Sequence, residues 1–160
     1  MWIFPFFQCL GEIAKTCNQF YALSGQVRQA LPLLEQAMQL SEAMGIKAAQ
    51  ALGVAALSEA SLLAGRRDEA LPLAGRALAC SSDLKQHGHQ AWILRLLGEI
   101  AAHRHPPEAE QTEASYRQAL SLAEELDMRP LQVHCHRGLG MLYAATGQSE
   151  QARGCTHHRH

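Results

Sequence analysis

The sequence predicts an all-α fold, arranged as a solenoid of antiparallel helix pairs. Alanine and leucine make up almost a third of the 160 residues, while valine and isoleucine are scarce, and unbranched side chains lose little rotamer freedom in a helix. No stretch alternates apolar and polar residues for long enough to predict a strand. The third observation is an internal repeat with a period near 40 residues and two helices per unit. A single helical hairpin cannot bury its own apolar face, so such units stack on their neighbours.

The repeat appears in three segments that align without a gap: Ala37–Ala51, Ala77–Ala91 and Ala119–Val133. In each segment the apolar residues fall at helical spacing, and a turn through Gly45, Gly88 or Pro130 then leads into the next helix. We call the first helix of each unit A and the second B. Seven full helices are predicted, three A/B pairs and a fourth A helix, in one domain over 1–160 with a disordered tail at 155–160. The predicted repeats are approximately 11–50, 51–90, 91–132 and an incomplete 133–154.

Glycine turns are predicted between the A and B helices. The stretch Leu62–Leu71, LLAGRRDEAL, allows two interpretations: an anion site beside Arg66 and Arg67, or a turn whose Asp68 caps the next helix. The arginine pair does not recur along the chain, whereas a glycine followed five residues later by alanine does, and this favours the turn. The recurring pairs are Gly25/Ala30, Gly65/Ala70 and Gly147/Ala152.

Proline replaces glycine at one turn and opens helices elsewhere. Pro106-Pro107 stands where the third glycine turn is expected and is predicted to start that B helix, because the first helical residue needs no N–H partner. Pro32 and Pro72 match each other and are predicted near the end of the first turn of their B helices, where little hydrogen bonding is lost.

The charge and the cysteine content argue against a nucleic-acid-binding protein and against a disulfide-stabilised one. The formal net charge is −1 with no block of like charges, so no basic surface for nucleic acid is expected. The five cysteines are widely spaced without a CxxC, which is typical of reduced thiols in a cytoplasmic protein. The apolar N-terminus, MWIFPFFQCLG, lacks the basic region of a secretory signal and is too short to span a bilayer. We interpret it as the opening of a first helix or an apolar flap on one.

No catalytic or metal site is predicted, and no cofactor. On a helix, residues i and i+2 point about 200° apart, so His134 and His136 cannot chelate one ion. His87/His89 and His103/His105 sit in or beside turns, but no carboxylate or cysteine completes either set. The serines that stand next to acidic residues lack a placed histidine partner. Cys135 is predicted to be a small packed residue.

Several motifs resemble the tetratricopeptide repeat. Leu97-Gly98 and Leu139-Gly140 with Tyr143, followed by Gly147 and Ala152, resemble the pattern of its first helix and turn, and Tyr116 with Ala119-Leu120 resembles its second helix. The resemblance covers roughly residues 11–153, and the long period is similar to that of a long-helix variant of the repeat. The stretch Leu96–Leu131 resembles the C-terminal arrays of bacterial signalling ATPases and nucleotidyl cyclases. The repeat resemblance implies a right-handed superhelix whose A helices line a concave, partner-binding groove.

The resemblance also implies which places of each repeat contact a ligand: the second, fifth and ninth. Two interpretations of these places are open. They form an interaction surface, for which a large apolar side chain among charged residues is typical, or they are simply exposed to solvent. With Gly11, Ala51, Ala91 and Val133 as first places, these are Glu12, Lys15 and Gln19; Leu52, Ala55 and Glu59; Trp92, Arg95 and Glu99; and His134, Arg137 and Met141. The predicted binding groove is Lys15, Gln19, Glu59, Trp92, Arg95, Glu99, His134, Arg137 and Met141.

The predicted function is therefore non-enzymatic: a cytoplasmic scaffold, within a bacterial signalling protein, that binds a peptide, a helix or a neighbouring domain. The alternative is a structural array that self-associates through its open ends. The segment after Gln148 does not contain a full B helix, so we expect the C-terminal end to be uncovered in the monomer, either because the chain is a fragment or because another chain covers it.

Overall fold

Six α-helices account for most of the residues that the computed structural model describes, which are 27–45, 47–104 and 106–148. These ranges contain no strand, so the predicted all-α class is confirmed there. The segment predicted to form the first A helix, with Glu12, Lys15 and Gln19, and the segment after Gln148 lie outside the described residues. The helices are α1 Val27–Ala43, α2 Lys47–Leu63, α3 Arg67–Asp83, α4 His87–Ala102, α5 Ala109–Glu125 and α6 Arg129–Ala145. In the repeat scheme α2, α4 and α6 are A helices, and α1, α3 and α5 are B helices.

The helices belong to two compact units, Met1–Lys85 and Gln86–His160. In the first unit α1 packs on α2 and α2 on α3. In the second unit α4 packs on α5, α5 on α6, and α4 also touches α6. Three residues separate α2 from α3 and α5 from α6, and such short links between packed helices make αα-hairpins. None of the described helices is both long and apolar enough to cross a membrane.

Left-handed residues follow five of the six described helices, all except α4, and two of these residues were not predicted. Gly65 and Gly147 have φ of +80° and +78°, which confirms the glycine turns at those places. After α1, α3 and α5 the left-handed residues are Gly45, Lys85 and Asp127, with φ of +68°, +51° and +50°. These three occupy one column of the repeat alignment, the residue after the last helical turn.

The predicted turn residues Gly88 and Pro130 are therefore corrected. Each is the second residue of its helix, Gly88 in α4 and Pro130 in α6. The αL residue of a helix stop must follow the C-cap directly. That geometric requirement decides the position, whichever residue type stands there.

The helix starts also differ from the predictions. Arg66 is the N-cap of α3 and makes no side-chain capping bond, while Asp68 lies in the first helical turn instead of capping it. The Arg66 guanidinium forms an ion pair with Glu69, Nη2 to Oε2 at 2.8 Å, which agrees with a turn rather than an anion site. Pro106 and Pro107 precede the N-cap of α5, so neither starts the helix. Pro32 and Pro72 are each the sixth residue of their helix, in the second turn, where each removes one backbone hydrogen bond.

Each unit has its own buried apolar residues. In the first unit Leu31 and Leu34 of α1 pack with Ala56 and Ala60 of α2. The core of the second unit includes Tyr116 of α5. It draws on all three helices of that unit, and its other buried members are Ala91, Ala119, Ala123, Leu131, Cys135, Leu139 and Tyr143.

Candidate functional site

The α4–α6 face of the second unit joins two groups of predicted groove residues. Trp92, Arg95 and Glu99 are spaced by three and four residues on α4, and His134, Arg137 and Met141 are spaced likewise on α6, so each group lies along one side of its helix. The two groups meet at the rings of Trp92 and His134. Their centroids are 5.9 Å apart and their planes are tilted by 57°. We use "the α4–α6 face" for these six residues.

Arg95 lies at the back of this face rather than on its surface. Its guanidinium carbon is 5.4 Å from the centre of the Trp92 ring, within the range of a cation–π contact. Its Nη1 donates to Glu99 Oε2 at 2.6 Å. Only 8% of Arg95 is exposed, so the structure buries most of this predicted groove residue. The ion pair and the indole keep the guanidinium buried and fix the Trp92 ring from one side.

Unlike Arg95, both Arg137 and Met141 are exposed. Met141 is 63% exposed, the most of any large apolar side chain in the described residues. Arg137 is exposed one turn before Met141 and one turn after the exposed His134. The face thus has an aromatic, ion-paired side on α4 and an accessible cationic and apolar side on α6.

Tyr116 of α5 lies beneath this face. A Cβ built on Gly98 would come 3.1 Å from Tyr116 Cδ2, and one built on Gly138 would come 2.6 Å from Cε1, so the ring lies between two glycines of α4 and α6. Burial raises the pKa of Tyr116 to about 12, helped by the charge of Glu99 and opposed by those of Arg95 and Arg137. The phenol therefore stays neutral and acts as packed structure.

Cys135 of α6 is another buried group of the same core. Burial raises the pKa of its thiol to about 11, so the reactive thiolate is scarce at neutral pH. The predicted small packed cysteine is confirmed, since Cys135 is fully buried.

A second polar cluster joins α5 to α6 and was not predicted. The Tyr143 hydroxyl donates to Glu113 Oε1 at 2.8 Å and accepts from Arg117 Nη2 at 3.1 Å. Arg117 Nε also donates to Glu113 Oε1, at 2.8 Å. The Tyr143 hydrogen bond first, and then Arg117, lower the pKa of the Glu113 carboxyl. Glu113 and Arg117 are four residues apart on one helix, a signal visible in the sequence, but their link to Tyr143 depends on how α5 and α6 pack.

The first unit holds the remaining predicted places that the structure describes. Leu52, Ala55 and Glu59 are half-buried on α2. They belong to a different compact unit from the α4–α6 face. Among the residues that the structure describes, the second unit brings six predicted site residues together in the α4–α6 face.

The described histidines near the turns bond to neighbouring groups. His87 Nδ1 lies 3.3 Å from Gln90 Oε1, and His89 Nδ1 lies 3.0 Å from Gln86 Oε1. His103 Nδ1 lies 2.7 Å from the carbonyl oxygen of Glu99. Within residues 27–45, 47–104 and 106–148, no three histidine, cysteine or acidic side chains are grouped so that they could hold a metal ion.

Comparison with known proteins yields a structural likeness only. No protein-family model matches the chain, and no curated protein matches it. Among solved structures it is similar to the crystal structure of BtubC (BKLC) from P. vanneervenii, with a TM-score of 0.73 and 19% identity. The match covers 93% of this chain and 61% of that chain, so this chain spans less than two thirds of the length of BtubC. At that identity the likeness concerns the fold.

Proposed function

We propose that this chain is a protein-interaction module of the tetratricopeptide type, a right-handed α-solenoid that binds a peptide, a helix or a neighbouring domain on its A helices. The observation that carries the proposal is the α4–α6 face. There the ring contact between Trp92 and His134, 5.9 Å apart, joins two helices, and Met141 stands exposed beside an exposed arginine. Aromatic, methionine and arginine side chains are the types enriched where proteins bind one another.

The chemistry of the face suits binding better than catalysis. Its one carboxylate, Glu99, is bonded to Arg95, and the neighbouring phenol and thiol both have raised pKa values. We therefore propose a non-enzymatic role without a cofactor. The wider setting that we propose, a cytoplasmic scaffold in a bacterial signalling protein, rests on the sequence resemblance to arrays of that kind.

A selection from a displayed random-peptide library tests this function. The full chain is immobilised, selected peptides are synthesised, and their affinities are measured by fluorescence anisotropy. We expect His134→Ala and Met141→Ala each to weaken binding several-fold. Leu126→Ala is the matched control, because Leu126 is also an exposed apolar residue of the second unit but ends the B helix α5. Failure to select any peptide, or equal losses in all three variants, would contradict the proposal.

The second candidate function is self-association, and a different observation favours it. Leu33 and Leu40 of α1 are 55% and 62% exposed, and Met44, the residue directly after this helix, is 59% exposed. With the exposed Ala37 they form an apolar row along one side of α1. If this row joins copies of the chain, light scattering will show concentration-dependent oligomers that Leu40→Lys dissociates. A wild-type chain that remains monomeric at high concentration excludes this function and leaves the first intact.

A further inference from the structure

The second unit sorts its charges by helix. The B helix α5 carries four glutamates and one arginine, whereas the A helices α4 and α6 together carry three arginines and a single acidic residue, Glu99. The helices that form the α4–α6 face are therefore cationic, and the helix behind them is anionic.

Most of these arginines are already matched with carboxylates. In the second unit Arg95 pairs with Glu99, Arg104 with Glu108, Arg117 with Glu113, and Arg129 with Asp127. Arg137 is the exception among the described arginines of this unit, because it makes no ion pair. It is also exposed, and no acidic residue occurs anywhere in α6. Arg137 thus offers a guanidinium whose charge is not compensated within its own helix.

Apolar surface flanks this guanidinium. Met141 is one helical turn further along α6, and the Trp92–His134 ring pair is one turn in the other direction. A ligand that satisfies the whole face therefore needs a carboxylate with large apolar side chains on either side of it. Guanidinium binds carboxylate through two parallel hydrogen bonds, which adds specificity as well as affinity.

We propose that the ligand of the α4–α6 face is an acidic peptide segment in which a side-chain carboxylate bonds to Arg137 while neighbouring apolar side chains contact Met141 and the Trp92–His134 pair. The inference rests on the proposed peptide-binding function and names the chemistry of the ligand. A peptide fits better than a nucleic acid, because a phosphate backbone needs several uncompensated cations in a row, and Arg95 is neutralised by Glu99.

Four synthetic peptides of equal length test this inference against the full chain. The first alternates aspartate with leucine, and both termini are blocked so that a terminal carboxylate cannot contribute. In the others asparagine replaces aspartate, lysine replaces aspartate, or serine replaces leucine. We expect the first peptide to bind about tenfold more tightly than each of the others, since one charge-assisted hydrogen-bonding contact and an apolar contact are each worth about that factor.

Substitutions at Arg137 test whether this residue binds the carboxylate of the peptide. We expect Arg137→Gln to remove the preference for aspartate over asparagine, and Arg137→Glu to reverse it in favour of the lysine peptide. Arg129→Gln, which changes an arginine at the start of the same helix, should leave the preference unchanged. Thermal melts of the three variants should coincide, because Arg137 is exposed and makes no ion pair, and the Arg129 contact is solvent-exposed.

Each other outcome overturns the inference. Equal binding of the acidic and amide peptides, an unchanged preference in Arg137→Gln, or no binding of the acidic peptide would each do so. Competition by a single-stranded oligonucleotide at the same concentration would assign the face to nucleic acid instead. Peptides selected from the random library without acidic residues would refute this inference while leaving the proposed peptide-binding function in place.

Discussion

Two helix pairs occupy equivalent places in the repeat, α2–α3 in the first unit and α4–α5 in the second, and they fill the contact in opposite ways. In the first pair Ser58 of α2 donates to the carbonyl of Ala70 at 2.7 Å, and Ala74 follows one turn later on α3. In the second pair Gly98 takes the place of Ser58, and Tyr116 takes the place of Ala74. There the ring lies directly on the glycine, which leaves room for it.

In both units the space between the A helix and the B helix is filled, but the side chains that fill it differ. Protein interiors are close-packed, so a glycine on one helix must be matched by a larger side chain on the helix that faces it. The contact between α1 and α2 follows the same rule, since a Cβ on Gly53 would collide with the sulfur of Met38. Methionine can adjust to such a gap, whereas a tyrosine ring is rigid, so the second unit should tolerate change less well.

The largest expected effect is at the ring itself. Tyr116→Ala should lower the free energy of unfolding by about 3–5 kcal/mol, because it leaves a cavity among three helices. Ala74→Gly at the equivalent place in the first unit should cost only about 1 kcal/mol, mainly through helix propensity. Chemical denaturation followed by circular dichroism measures both. Similar losses at the two sites would break the comparison.

The next effect concerns the glycine of α6 that faces the ring. Gly138→Ala should cost about 1–3 kcal/mol, because the new methyl group would overlap the Tyr116 ring. Gly75→Ala is the control, since Gly75 is an exposed glycine of α3 with nothing within 4 Å of an added Cβ. That change should instead stabilise the protein by about 1 kcal/mol. If the melting temperature changes in the same direction in both variants, this account is contradicted.

A smaller effect is expected at Ser58, where the first unit uses a hydrogen bond in place of a ring. Ser58→Ala removes the buried bond to the Ala70 carbonyl and should cost about 1 kcal/mol. Ser121→Ala, on the exposed side of α5, should stay within about 0.5 kcal/mol. If Ser58→Ala is as neutral as its control, the hydroxyl contributes nothing to the packing of α2 on α3.

The column of left-handed residues allows the two units to be compared at their turns. Lys85→Gly and Asp127→Gly should each raise the free energy of unfolding by about 0.5–1 kcal/mol, because glycine adopts a positive φ without the Cβ clash. The gain should be larger for Lys85, since aspartate tolerates this conformation better than lysine. Gly45→Ala in the same column should be destabilising. Equilibrium unfolding of the three variants provides the measurement, and a loss of stability in Lys85→Gly would refute it.

The smallest effect is electrostatic and belongs to the second unit. The pKa of Glu113 is held below its ordinary value of 4.5 by Tyr143 and Arg117. A carboxyl with a lowered folded-state pKa stabilises the protein above its unfolded pKa and loses that contribution as the pH falls through the folded value. Glu113→Gln should therefore be less stable than wild type near neutral pH and equal to it in strong acid. Thermal melts of both proteins recorded across this range provide the measurement, and a difference that persists unchanged in strong acid would contradict this account.

The sequence by itself determined the helical class, the order of helices from α1 to α6, and the glycine turns at Gly65 and Gly147. It also placed Trp92, Arg95 and Glu99 on one side of α4 and His134, Arg137 and Met141 on one side of α6. These features follow from local spacing and backbone preference, which are properties of a few consecutive residues.

Only the tertiary structure decided which of these side chains meet and how deeply each is buried. Arg95 is buried beside Trp92, whereas Arg137 is exposed. Tyr116 lies between Gly98 and Gly138. The Tyr143 hydroxyl is hydrogen-bonded to Glu113. Such contacts depend on the rotation and separation of whole helices, which the volumes of side chains from three helices set together. A periodic pattern specifies which side of a helix is apolar, but not the depth at which a neighbouring helix packs against it.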